Sequence, residues 1–98
     1  MRVISKKKIV LFYSEQEDAR TALEEWYEKA ESAEWECFAH VKGSFRTADY
    51  VGNGRIVFNI KGNRYRLVAL VLFKAKTVYV RFVGTHEEYD KIVDIQNI

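Results

Sequence analysis

The chain has 98 residues, a hydrophobic share of 48% and a formal net charge of +2. That is enough for one domain with its own core, and too apolar for disorder. Its one cysteine, Cys37, excludes an intrachain disulfide and fits a reducing compartment. No apolar run is long enough for a signal peptide or a membrane span, so a cytoplasmic protein with no membrane partner is expected.

The small net charge hides an asymmetry. Residues 1–54 carry eight cations and ten anions, whereas residues 55–98 carry eight and four. An acidic helical part beside a basic sheet part points to one local site for a polyanion rather than to general nucleic-acid coating.

In chain order, Arg2-Val3-Ile4 is a short strand candidate. Ser5 can cap a first helix over Lys6 to Tyr13. Lys6, Lys7 and Lys8 stand at its start, where the helix dipole disfavours cations; they are either a solvated face or phosphate contacts. Ser14-Glu15-Gln16-Glu17 has capping-box spacing and predicts a second helix to about Ala33. Its apolar stripe of Ala19, Ala22, Leu23, Trp26, Tyr27 and Ala30 reads as core, and its glutamates as a solvated face. Trp35, Phe38, Val41 and Phe45 predict a third, short helix, with Cys37 a packing residue and His40 at the surface. Ala48 to Val51 then forms an edge strand, turned by Asn53-Gly54.

The stretch from Arg55 to Thr85 holds seven cations and no Asp or Glu. Lys61-Gly62-Asn63-Arg64 reads as a two-residue hairpin turn. That register pairs Asn59 with Arg66 and Val57 with Val68 on one face, and Ile60 with Tyr65, Phe58 with Leu67 and Ile56 with Ala69 on the other. The first face gathers Asn59, Lys61, Arg64 and Arg66. Like charges opposite each other destabilise a sheet unless something anionic binds there. In the last strand, Val78, Val80 and Phe82 form one face; if they face the core, Arg81 joins the cations. Thr85 with Glu88 has capping-box spacing and predicts a last short helix that carries His86 and Tyr89 on about one face.

Two distant histidines and one cysteine give no metal-ligand spacing, and there is no glycine-rich phosphate loop or nucleophile elbow. What remains is Asn59, Lys61, Arg64, Arg66 and Arg81, adjoined by His86 and Tyr89. Arginines grip phosphate bidentately, and His and Tyr can stack on bases or move protons. This inventory permits metal-free RNA cleavage; it equally suits an RNA-binding face without chemistry, or a surface for an acidic protein segment.

The runs VFNIKGNRYRLV (57–68) and VRFVGTHEEYDKI (80–92), the opening RVISKK and the helix motif ALEEWYEKA followed by Trp35 resemble the HigB family of toxins, of the RelE-like superfamily. The family's usual prolines are absent here at the stretches around Cys37-Phe38 and Phe45-Arg46-Thr47. The resemblance implies an α+β fold over residues 1–98: a twisted antiparallel sheet of about four strands, N-terminal helices on one face and a short C-terminal helix. It implies a ribosome-dependent mRNA endonuclease acting in the ribosomal A site without a cofactor or metal, by attack of a 2′-hydroxyl on the adjacent phosphate. It further implies a helix-turn-helix antitoxin, with DNA contacted only through the antitoxin complex. Carried over by position, Lys61, Arg66, Arg81, His86 and Tyr89 would be catalytic, and Asn59, Arg64, Lys6 and Lys8 would hold RNA.

Overall fold

Apolar periodicity decides where the helices lie. In a computed structural model that describes residues 1–98, a sheet with strand order β1-β5-β4-β3-β2 carries three helices on one face. The strands are β1 (Arg2–Ile4), β2 (Asp49–Gly52), β3 (Arg55–Ile60), β4 (Tyr65–Leu72) and β5 (Thr77–Thr85). The helices are α1 (Lys6–Glu15), α2 (Arg20–Ser32), α3 (Phe38–Ser44) and α4 (His86–Asp90). No helix is long and apolar enough to cross a membrane.

The α2 stripe is core as its spacing predicts: Leu23, Trp26 and Ala30 are buried. Trp26 meets Phe58 of β3 edge-on with centroids 5.3 Å apart, and Phe45 meets the same ring at 5.2 Å. Trp35 also stacks on Phe58 and donates from Nε1 to Ser44 Oγ at 2.9 Å. One strand ring thus ties together α2 and the two loops flanking α3.

Several expectations need correction. The sheet has five strands, and it is mixed, because β1 runs parallel to β5 with Val3 opposite Val78. Three residues of strand pattern carry no sign of direction. Ser14 is no N-cap: its hydroxyl donates to the Val10 carbonyl at 2.8 Å inside α1, a local bond that competes with capping. The chain then breaks through a short 3-10 turn (Glu17–Ala19) before α2. The third helix starts only at Phe38, leaving Trp35 on the preceding loop. Cys37 is exposed, not packed. Glu31, read as solvated, accepts from the Val3 backbone N–H at 2.9 Å and fastens β1 to α2.

Candidate functional site

The 55–68 hairpin forms with the register its turn predicts: Val57 with Val68, Phe58 with Leu67, Asn59 with Arg66 and Ile60 with Tyr65. Gly62 supplies the positive φ (63°) that the reversal needs, and Lys61 adopts one too (φ 52°). Ile56, Phe58, Ile60, Leu67 and Ala69 face the helices. Arg55, Val57, Asn59, Arg66 and Val68 therefore share the opposite, open face.

Arg66 is the centre of that face. It is only 8% exposed. Its Nη1 donates to the carbonyls of Asn63 (3.1 Å) and Tyr65 (3.3 Å), and its Nη2 to Asn63 Oδ1 (3.1 Å). The guanidinium lies 5.9 Å from the centroid of the Tyr89 ring. None of the chain's ion pairs involves Arg66. A sequestered cation held by neutral oxygens alone is incomplete electrostatically and favours an anion.

The last helix delivers Tyr89. Thr85 and Glu88 form the predicted capping box, with bonds of 3.1 and 2.8 Å. Gly84, opposite Arg66, allows the close approach: a Cβ there would stand 2.5 Å from Phe82 Cζ and 3.0 Å from Glu88 Oε1. Burial, foremost, pushes the Tyr89 hydroxyl pKa up; Asp49 and Asp90 add to this and Arg66 opposes it. The phenol is thus a proton donor at neutral pH. His86 donates its backbone N–H to the Arg64 carbonyl at 3.0 Å, and its Nδ1 lies 3.1 Å from Asp90 Oδ2.

The hairpin tip is a separate cluster. Lys61 Nζ (3.3 Å) and Arg64 Nη1 (2.8 Å) both bind Asp18 Oδ2, and the Tyr65 hydroxyl donates to Asp18 Oδ1. The Tyr65 hydrogen bond, more than the two cations, holds the Asp18 carboxyl below its ordinary pKa; the same bond, aided by burial, raises that of Tyr65. Asp18 is the neighbour of the candidate residues that sequence reasoning missed. It comes from the 3-10 turn between α1 and α2, more than forty residues away in the chain, and no local pattern announces it.

Arg81 reaches the open face by another route than predicted. Val80 pairs with Ala69 and Phe82 with Val68, so Arg81 is the extra residue of a β-bulge. The bulge turns Phe82 out of the core and brings Val83 in. Arg81 Nε then donates to the Ile98 backbone oxygen at 3.2 Å. Lys8 lines the groove between α1 and β5 with Arg81 and Phe82. Lys6 turns to α2, with Nζ 4.7 Å from the centroid of the Tyr27 ring. Asn59 borders a cleft of about 670 Å³ shared with Lys61, Glu25, Glu28 and Lys29, whose acids do not suit a phosphate. No cluster of three or more His, Cys, Asp or Glu residues could hold a metal.

The chain is thus a small α+β domain whose open sheet face carries a buried arginine without a carboxylate partner, under a tyrosine. The chain belongs to the HigB toxin family, RelE-like toxic components of toxin–antitoxin systems, whose family model matches residues 19–92. Over 34 residues it is 53% identical to the mRNA interferase toxin HigB of Escherichia coli K12. The same identity and length hold for the mRNA interferase HigB proteins of E. coli O157:H7 and Shigella flexneri. Each match covers 35% of this chain and 33% of the relative, so the matched stretch spans about a third of the curated relatives.

Proposed function

We propose that the chain is an mRNA interferase that cleaves translated mRNA on the ribosome. The observation that carries this reading is Arg66: a buried cation with no carboxylate partner, beneath a protonated phenol, in a chain of the HigB family. In the proposed reaction the 2′-oxygen bonds to the adjacent phosphorus and the bond from phosphorus to the 5′-oxygen breaks. The products are a 2′,3′-cyclic phosphate and a 5′-hydroxyl end. Arg66 stabilises the charge that develops on the phosphate. The Tyr89 hydroxyl gives its proton to the leaving 5′-oxygen. His86, with Nδ1–H directed to Asp90, accepts the 2′-hydroxyl proton at Nε2.

Lys61 and Arg64 hold neighbouring backbone phosphates after exchanging Asp18 for them, and Lys8 extends the basic surface along α1. A helix-turn-helix antitoxin is the proposed partner, and DNA is reached only through that complex.

The test is cleavage of one mRNA with and without translating ribosomes. Cuts within the translated frame that need ribosomes, and that vanish in Arg66→Ala, are expected. Equal cutting of free mRNA would refute ribosome dependence. No cutting in either condition by folded protein would refute the nuclease.

A further inference from the structure

The open face holds a second convergence of arginines. Arg55 Nη2 donates to the Ile98 backbone oxygen at 2.7 Å, the same oxygen that Arg81 Nε reaches from β5. Arg55 and Arg81 stand on β3 and β5, with β4 between them, so the two side chains meet above that central strand. Neither arginine pairs with an Asp or Glu side chain. Arg55 Nε is buried without an acceptor, while its Nη1 is anchored on the Asn53 carbonyl at 2.9 Å. Two guanidiniums are therefore drawn to one oxygen of Ile98, with the Arg55 Nε donor to spare. A phosphate would supply acceptors for both guanidiniums and for the spare donor.

The occupant of that position is the segment after α4. It folds back along β2, where Gln96 Nε2 donates to the Val51 carbonyl at 2.9 Å and Asn53 Nδ2 to the Gln96 carbonyl at 3.0 Å. These ties are few, and Gln96 and Asn53 are exposed. Along β4 the rung of Val68, which pairs with Phe82 beside the Arg81 bulge, is two residues from the Arg66 rung. That is about 7 Å, the scale on which successive backbone phosphates follow one another in an extended strand.

We propose that Arg55 and Arg81 form a second phosphate subsite, which binds the backbone one step from the phosphate at Arg66 and which residues 94–98 close in the free protein. RNA takes the place of Ile98 as it enters. Arg55 thus becomes an RNA-binding residue, and Arg81 acts with it on the neighbouring phosphate. The inference rests on the RNA-cleavage reading of the same face.

The experiment is fluorescence anisotropy with a labelled single-stranded RNA bearing 2′-O-methyl groups, which cannot be cleaved, titrated at several salt concentrations. Proteins are the wild type, Arg55→Gln, the truncation after Val93, the milder Gln96→Ala, and each tail variant combined with Arg55→Gln. Arg55→Gln is expected to weaken binding several-fold and to reduce the slope of log affinity against log salt by about 0.7, one phosphate contact on a single strand. Freeing the tail should strengthen binding several-fold in the wild-type background and not in Arg55→Gln. Gln96→Ala keeps the test valid if the truncation unfolds. Unchanged affinity and slope in Arg55→Gln, or a tail effect that persists without Arg55, overturns the subsite. If Arg66→Ala still loses cleavage in that case, the parent reading stands. Failure of the wild type both to bind RNA and to cleave overturns the two together.

Discussion

Arg64 and Arg66 lie two residues apart and live in opposite surroundings. Arg64 is exposed, and its guanidinium meets the Asp18 carboxylate at 2.8 Å. Arg66 is buried, meets only carbonyl and amide oxygens, and lies under Tyr89. Charge is the same in both; solvation and partner differ. An exposed ion pair in water contributes little and exchanges readily. A cation sequestered among neutral oxygens interacts strongly with any anion that reaches it, because the surrounding dielectric is low. On the proposed reading, the tip docks RNA and the Arg66 rung carries the chemistry.

Arg66→Ala tests the contrast most severely. Cleavage should fall by roughly 10²–10³-fold, the loss typical when one preorganised donor to a developing charge is removed. Arg66→Lys should be nearly as inactive, since an ammonium cannot reproduce the fork between Asn63 and Tyr65. Arg64→Ala, by comparison, should weaken RNA binding and leave the rate at saturation nearly unchanged. Single-turnover kinetics on programmed ribosomes separate the two, and equal effects on both parameters would erase the distinction.

Tyr89→Phe should keep affinity and lose roughly 10²-fold in rate, as expected for a general acid. The raised pKa of Tyr89 sets the pH sign. The phenol stays protonated past its ordinary value of 10.0, so a fall in rate caused by its ionisation belongs above that pH. The same shift stabilises the fold fully below pH 10.0, and that contribution is lost as pH rises through the folded value.

Gly84→Ala asks whether the close packing of Phe82 and Glu88 beside Arg66 matters. Overpacking of this kind costs about 1–3 kcal/mol. Urea unfolding should register that loss, and cleavage should fall further than stability alone explains, because the turn that presents Tyr89 shifts.

Asp18→Asn should have the smallest effect on folding and an informative one on binding. Its folded pKa is depressed, so its contribution is present above the ordinary value of 3.8 and is lost as pH falls through the folded value. In Asp18→Asn the acid limb of the stability profile should flatten, and the Tyr65 hydroxyl should titrate nearer to 10.0, read by ultraviolet absorbance. RNA affinity should rise, since Lys61 and Arg64 lose their internal anion. A fall in affinity would show that Asp18 positions these cations rather than competing with RNA.

How far the sequence predicts this molecule depends on the range of each determinant. The β3–β4 register follows from Gly62 and strict alternation, and the α4 cap from Thr85 and Glu88, all within a few residues. The Arg81 bulge has no such signature: Val80, Arg81 and Phe82 continue an ordinary alternation, and only the pairing with Val68 and Ala69 reveals the extra residue. Asp18 and Ile98 come to the basic residues, and Asp49 to the neighbourhood of Tyr89, through tertiary structure that no local pattern encodes. For the same reason the sequence groups Lys61, Arg64, Arg66 and Arg81 as one surface, whereas the fold divides them among the tip, the buried rung and the bulge.

The most direct measurement is mapping of mRNA 5′ ends after brief induction from a tightly repressed promoter, with Arg66→Ala and Arg64→Ala in parallel. Growth arrest with new 5′-hydroxyl ends inside translated frames, absent in Arg66→Ala and reduced but present in Arg64→Ala, is the predicted result. Folded wild-type protein that leaves growth and mRNA ends unchanged would contradict the account, as would an Arg66→Ala variant that cuts as well as the wild type.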